Sequence, residues 1–294
     1  MLSGIVAIVG RPNVGKSSLL NALVGRKISI VAPKPQTTRH RIQGVLHRPQ
    51  GQVVFVDTPG LHRKAPRALN RYMNDAVSGA LSDVDLALFV VEAGRWTDED
   101  EAVLEKLKQG RAPVGLVVNK VDKLDNKAGL LPELEKLSAM HSYAFIVPLS
   151  AKSGDNLDAL VRELFSRMPE GPPLYPEGQI AGHDLRFTVS ELVREKLMRA
   201  LAQELPYALT VETETLDHSG TIIRTSAVIW VERDNQKKIV IGEDGAMLKR
   251  IGSAARRELE YMTGAKVVLK LWVKVKENWT DDPQALKRFG YLDN

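Results

Sequence analysis

A chain of 294 residues has room for two domains with separate cores, and 44% hydrophobic with 26% charged residues is the balance of ordinary folded protein. With no cysteine, disulfides and thiolate metal sites are excluded, and a reducing cytoplasm is the expected setting. The net charge of +5 divides into +4 on residues 1–178 and +1 on residues 179–294, the latter from 18 Lys/Arg against 17 Asp/Glu, so bulk charge does not mark which half would bind a polyanion. The chain start runs straight into an apolar strand without a basic region or cleavage site, unlike a signal peptide. The longest apolar runs, Leu86–Val91 and Val114–Val118, are too short to span a bilayer.

In chain order, short β-branched runs alternate with amphipathic stretches up to Met168. Ile5–Val9, Val53–Asp57, Leu86–Val91, Val114–Asn119 and Phe145–Leu149 read as strands buried on both faces. Helical patterns lie near Lys16–Val24, Ala65–Leu81, Asp98–Lys108, Gly129–Met140 and Asn156–Met168. This alternation predicts an α/β first domain over 1–168, a mostly parallel sheet flanked by helices, with Ile42–His47 as one antiparallel edge strand. Residues 169–178 then hold four prolines and two glycines, which defines a linker over 169–183 or a loop packed along the surface. A smaller α+β domain follows over 184–275: a helix near Leu185–Leu205, strands Ala208–Leu216 and Thr221–Val231, a helix pair over Gly245–Met262 and a last strand Lys266–Val275. Residues 276–294 form a C-terminal tail.

The first domain carries its chemistry in short motifs. Gly10, Arg11, Pro12, Asn13, Val14, Gly15, Lys16 and Ser17, followed by Ser18, form a P-loop between a strand and a helix. Its glycines let backbone N–H groups close on phosphate oxygens at a helix N-terminus, Lys16 is expected to reach the β- and γ-phosphates, and Ser17 to ligate Mg²⁺. Asn119, Lys120 and Asp122 select the base. Guanine presents N1–H and the N2 amine side by side, which one carboxylate accepts together, whereas adenine would leave Asp122 unpaired. Ser150, Ala151 and Lys152, after the last strand, are expected to support guanine O6 through backbone N–H. Asp57, Thr58, Pro59 and Gly60 end another strand, with Asp57 holding Mg²⁺ through water and the Gly60 N–H sensing the γ-phosphate. Arg26–Arg41 lacks regular pattern and suits a switch loop, in which Thr38, with Thr37 second, is expected to meet Mg²⁺ and γ-phosphate. The pattern predicts a GTPase that hydrolyses GTP to GDP and phosphate.

Leu61 stands after Gly60, where many GTPases carry a glutamine that orients the attacking water, and leucine cannot do that. His62 beside it reads as an exposed switch residue. Asn13 together with Leu61 resembles the translation-factor-related GTPases, and that resemblance implies K⁺ ligated by Asn13, with slow, K⁺-stimulated hydrolysis.

In the second domain, Gly242-Glu243-Asp244-Gly245 follows Ile241 and opens a helix bearing Lys249, Arg250, Arg256 and Arg257, as in a KH domain that clamps a single-stranded backbone. In the last strand the odd positions from Val267 to Val275 are apolar, while the even positions place Lys270 and Trp272 on a basic face suited to stacking and backbone tracking or to a solvated face with one packed Trp. The order helix–strand–strand–helix–helix–strand is the type II KH arrangement. With these motifs, Pro35–Arg41, Val240–Gly252 and Glu277–Asp282, the whole chain resembles the Era family of bacterial ribosome-assembly GTPases. The resemblance implies binding to the 3′ end of 16S rRNA, maturation of the 30S subunit, a cytoplasmic monomer and peripheral contact with the inner membrane. Alternatives from other classes are a C-terminal protein-interaction module, a role in RNA modification, and a scaffold with structural nucleotide.

Overall fold

Most apolar runs of the first half become strands because they are buried on both faces, which removes any alternation of polar and apolar residues. Phe145–Pro148, expected to be buried on both faces, instead alternates buried and half-buried residues because it lies at the sheet edge. The computed structural model describes residues 1–60, 68–124, 127–202 and 205–291. Strands β1 (Leu2–Val9), β2 (Ile42–Arg48), β3 (Gly51–Asp57), β4 (Leu86–Glu92), β5 (Val114–Asn119) and β6 (Phe145–Pro148) form one sheet in the order β2-β3-β1-β4-β5-β6. Only β2, an edge strand, runs antiparallel to its neighbour. Helices α1 (Lys16–Val24), α2 (Ala68–Ala80), α3 (Asp98–Lys108), α4 (Leu130–Ser138) and α5 (Leu157–Phe165) connect them. One apolar core gathers Phe89, Val91, Leu104 and Leu116 from β4, α3 and β5. The parallel strands bring the carboxyl ends of β1, β3, β4 and β5 to one edge, where ligands bind in such sheets.

Helix α5 is shorter than its sequence pattern at both ends. Asn156 takes a left-handed conformation (φ 61°) before it, and residues 166–168 close into tight turns after it. The helix expected from Ala65 is described from Ala68 onward, and its first residues lie outside the described ones. The proline-rich segment packs along the sheet. Ser3 N–H donates to the Pro169 carbonyl and Val45 N–H to that of Ile180. Gln52 accepts from the Leu174 and Tyr175 amides, and Tyr175 Oη donates to Gln43. The Val45 bond, with the Gly182 N–H donating to the Gln43 carbonyl, covers the outer edge of β2, which would otherwise template further pairing.

The chain divides into two compact units, the first holding most of residues 1–182 and the second built on residues from His183 onward. The second contains α6 (Leu185–Ala200), β7 (Leu209–Ser219), β8 (Ile222–Val231), α7 (Asp234–Ile241), α8 (Ala246–Thr263) and β9 (Lys266–Val275). Its sheet has the order β7-β8-β9, with β8 and β9 parallel and β9 at an edge. The helix pair expected over Gly245–Met262 starts earlier, at Asp234. Gln236 Oε1 accepts the Glu232 and Arg233 amides at the start of α7, and Val240 is buried in the core. Packing and capping thus override the strand preference of Ile239, Val240 and Ile241.

The tail is folded rather than appended. A short 3-10 turn at Trp279–Asp281 leads into α9 (Pro283–Arg288), and Trp279 and Tyr291 have no exposed surface. Trp279 Nε1 donates to the Ala208 carbonyl (3.1 Å), its ring meets Phe289 edge-on at 5.6 Å, and Tyr291 Oη bonds Thr210 Oγ1 at 2.9 Å. Trp279→Ala is therefore expected to destabilise the second unit by about 3–5 kcal/mol, measured as the shift of its denaturant unfolding curve, because a large void opens and one backbone carbonyl loses its donor.

Candidate nucleotide site and RNA interface

The P-loop turns from β1 into α1. Gly15 has φ 102°, and a Cβ there would sit 2.3 Å from Asn119 Nδ2, so only glycine lets the loop pass beneath the base-selecting segment. Lys16 is buried and donates to the carbonyls of Gly10 (2.9 Å) and Arg11 (3.0 Å). Burial lowers its pKa to about 8, opposed by the nearby Asp57 charge. An anion seated in the loop would supply the counter-charge this ammonium lacks.

Ser17, Thr38 and Asp57 converge. Ser17 Oγ donates to Asp57 Oδ2 (2.7 Å) and lies 2.7 Å from Thr38 Oγ1, while Ser29 Oγ donates to the same carboxylate oxygen at 3.1 Å. The other oxygen, Asp57 Oδ1, is buried and has no hydrogen-bond partner among the described residues. Burial raises the Asp57 pKa, with the Lys16 charge and the three hydroxyls pulling it back. A carboxylate oxygen left unpaired among hydroxyls fits a hard, oxygen-seeking cation such as Mg²⁺. Among the described residues no group of three or more His, Asp or Glu is arranged for a metal, so such an ion would need ligand phosphates to complete its shell. Thr37 is turned away, its hydroxyl donating to the Lys34 carbonyl at 2.6 Å. Thr58 Oγ1 donates to Ile8 O (2.9 Å), and Gly60 lies close against Pro12, leaving no room for a Cβ. Leu61 and His62 lie outside the described residues.

The segments after β5 and β6 are tied to the P-loop and to each other. Asn119 Nδ2 donates to Val14 O (2.9 Å), and its Oδ1 accepts the amides of Lys120 (2.8 Å) and Ala151 (3.0 Å). Asn119 is thus a brace among three loops. Lys120 Nζ donates to Asn13 O at 2.6 Å, and both residues hold left-handed backbones. Asp122 is exposed, with Oδ1 accepting from Ser150 Oγ at 2.6 Å, and Lys152 is exposed beside them.

In the second unit, residues 242–245 form the turn between α7 and α8. Gly242 has φ 76°, and a Cβ there would meet the Met247 backbone nitrogen at 2.9 Å. Glu243 and Asp244 are exposed, and Lys249 and Arg250 project from the first turns of α8. A groove of about 360 Å³ runs beside this turn, lined by Gly245, Leu248, Lys249, Gly252, Ser253 and Arg256 of the turn and α8 and by Leu269 and Leu271 of β9.

The pattern of a family described as "50S ribosome-binding GTPase" matches residues 5–120, and that of the KH domain matches residues 204–280. GTPase Era of Stenotrophomonas maltophilia (strain K279a) is 52% identical over 288 residues, 98% of this chain and 97% of the relative. The chain belongs to the Era family of GTPases. Era of Xanthomonas oryzae pv. oryzae (strain MAFF 311018) is 53% identical over 289 residues, again 98% and 97%. Two solved Era structures superpose over the whole of both chains with TM-scores of 0.96 at 39% identity. One is a point variant of Aquifex aeolicus Era bound to GDP·AlF₄⁻; the other is Era with MgGDPNP and nucleotides 1506–1542 of 16S ribosomal RNA. This Era-family chain is accordingly a P-loop GTPase followed by a KH domain.

Lys270 and Trp272 are exposed on the β9 face opposite Leu269 and Leu271, so they do not line the groove with Gly245. The odd positions of β9 form one apolar face, on which Val267 and Val273 are buried while Leu269 and Leu271 pack half-buried against the core and also floor the groove. Gly252 is the signal that separates them, since its absent side chain lets α8 approach Leu271, which a Cβ would meet at 3.3 Å. Ser29 lies within the irregular switch segment, where no pattern marks it. The Arg11 side chain leaves the P-loop to bond Asp100 (2.9 Å) and Glu92 (3.2 Å), and Lys120 bonds the same Glu92 at 3.0 Å. Burial would push the Glu92 carboxyl up, but Lys120, Arg11 and Lys123 hold it below the usual carboxylate range.

Proposed function

We propose that this Era-family GTPase uses GTP binding and hydrolysis to control the association of its KH domain with single-stranded RNA at the 3′ end of 16S rRNA, in the service of 30S subunit maturation. The observation that carries the nucleotide half is the pairing of a buried, under-neutralised Lys16 with an Asp57 carboxylate that accepts hydroxyls on Oδ2 and leaves Oδ1 buried without a hydrogen-bond partner among the described residues. Lys16 holds the β- and γ-phosphates. Ser17, Thr38 and, through water, Asp57 would hold Mg²⁺, which would neutralise charge on the phosphates when bound. Gly60 N–H senses the γ-phosphate, Asp122 reads guanine N1 and N2, and Ala151 N–H supports O6.

On the RNA side, the Gly242–Gly245 turn admits a phosphate backbone closely, Lys249 and Arg250 neutralise it, and the Leu248–Leu269–Leu271 floor receives bases. The Era structure that contains 16S nucleotides 1506–1542 supports this choice of ligand. Loss of the γ-phosphate would release the segments carrying Thr38 and Gly60 and lower RNA affinity. The test is the affinity for the 1506–1542 RNA with a non-hydrolysable GTP analogue and with GDP. Tighter binding in the GTP form is expected; equal binding leaves two uncoupled modules.

Hydrolysis is slow and K⁺-stimulated, with Asn13 as the K⁺ ligand, because Leu61 cannot orient water. Turnover in K⁺ buffer is expected to exceed that in Na⁺ buffer severalfold, and Asn13→Ala to abolish the difference. The protein acts as a cytoplasmic monomer with peripheral contact at the inner membrane; no described helix is long and apolar enough to cross it.

A further inference from the structure

The second sheet has two unlike faces. Ala227, Ile229 and Val273 face the core with Val193 and Leu197 of α6 and Ile251 and Ala255 of α8. The opposite face carries the even positions of β8 and β9, paired as Arg224–Val268, Ser226–Lys270, Val228–Trp272 and Trp230–Lys274. The folded tail covers one end of it. Phe289 lies 5.8 Å from the Trp230 ring, with Arg288 5.2 Å from that ring. The cover reaches Val228, which is fully buried, and stops there, so that Trp272 is left 55% exposed and Val268 46% exposed. Lys274 is held by Glu214 at 2.9 Å, whereas Lys266, Lys270 and Arg224 make no ion pair with a described residue.

We propose that this open face is a second single-stranded RNA contact in which Trp272 stacks on a base while Lys266, Lys270 and Arg224 track phosphates. The proposal rests on the RNA reading of the groove. Continuity is its first support. β9 is the edge strand, and groove residues Leu269 and Leu271 alternate along it with Lys270 and Trp272, so a strand leaving the groove need only cross the sheet edge to reach Trp272. Successive residues on one face are about 6.7 Å apart, which spaces the lysines for an extended backbone. Composition is the second support. Protein interfaces bury a contiguous apolar core from which lysine is depleted, whereas unpaired cations around one flat aromatic suit a polyanion with stackable faces.

The experiment compares two RNAs on the full chain: the 1506–1542 segment of 16S rRNA, and the shortest truncation of it whose binding is still lost in Gly245→Asp. Trp272→Ala is expected to weaken the long RNA about tenfold and leave the short one unchanged, with Trp272→Phe restoring most of the loss. Lys266→Ala with Lys270→Ala should lower the slope of log affinity against log salt by about 0.7 per lysine for the long RNA only. These paired lysine changes, and an unchanged unfolding midpoint, separate lost contact from lost fold. Equal weakening of both RNAs, or of neither, overturns the second contact and leaves the face to a protein partner. If the wild-type chain binds neither RNA, the groove reading itself fails and the proposal fails with it.

Discussion

Asp122→Asn is expected to lower GTP affinity about 1,000-fold and to make the protein prefer XTP. A carboxylate accepts both guanine donors, N1–H and the N2 amine. An amide accepts one and turns its own N–H toward the other, so two donors face each other. Xanthine carries a carbonyl at C2, which that amide donor satisfies. A 1,000-fold loss corresponds to about 4 kcal/mol, the scale of an unpaired buried polar group plus the lost charge-assisted bond. The fold should be unaffected because Asp122 is exposed and its partner Ser150 Oγ can rotate to bond an amide oxygen. Asn119 keeps its bonds to Val14, Lys120 and Ala151, so the surrounding loops stay in place. Competition of GTP and XTP against a fluorescent guanine nucleotide, with GTP and XTP hydrolysis measured in parallel, checks it. Retained preference for GTP would mean that the base is read elsewhere.

Lys16→Ala is expected to slow hydrolysis by about 100–1,000-fold and to abolish one limb of the pH dependence of nucleotide binding. In the free protein burial lowers the Lys16 pKa to about 8. Phosphate beside the ammonium favours the charged form, so the bound-state pKa is higher. Below pH 8 Lys16 is protonated in both states and contributes no slope. Above pH 8 the free protein has lost the proton and must regain it on binding, so GTP affinity falls by up to about tenfold per pH unit. Calorimetry at pH 9 in two buffers of different ionisation enthalpy should show proton uptake by the wild-type chain that is absent in the variant. A wild-type affinity that is flat between pH 7 and 9 would refute this assignment of the charge. Asp57 acts on the acid side: its carboxyl pKa is raised by burial, so Mg²⁺-dependent binding weakens as falling pH protonates it.

The Arg11–Glu92–Lys120 linkage adds a structural reason for the two loops to act together. Glu92 at the end of β4 receives Arg11 from the phosphate loop and Lys120 from the base loop, while Arg11 also reaches Asp100 beneath the Thr97 cap of α3. Breaking a buried pair by removing one charge leaves the other uncompensated, which costs more than the pair contributes. The position of both loops is therefore sensitive to residues that touch no nucleotide.

The sequence alone determined the six-stranded first sheet, its antiparallel edge strand, the order of elements in the second unit and the motifs at Gly10–Ser17, Asp57–Gly60, Asn119–Asp122 and Gly242–Gly245. These were readable because each depends on residues adjacent in the chain: apolar runs too continuous for an exposed strand, glycines at forced turns, and polar side chains at the ends of strands. What only the tertiary structure decided rests on residues brought together from afar. It chose Thr38 over Thr37 beside Ser17, added Ser29 to the Asp57 carboxylate, and sent Arg11 to Asp100 across 89 residues. It made a helix of Asp234–Ile241, whose β-branched residues prefer a strand in isolation, because Val240 is buried there. It folded the tail over Trp230 and buried Trp279, and it put the groove on one face of β9 and Trp272 on the other. Alternation along a strand separates two faces, but which face meets a helix, a groove or water depends on the elements that pack against it.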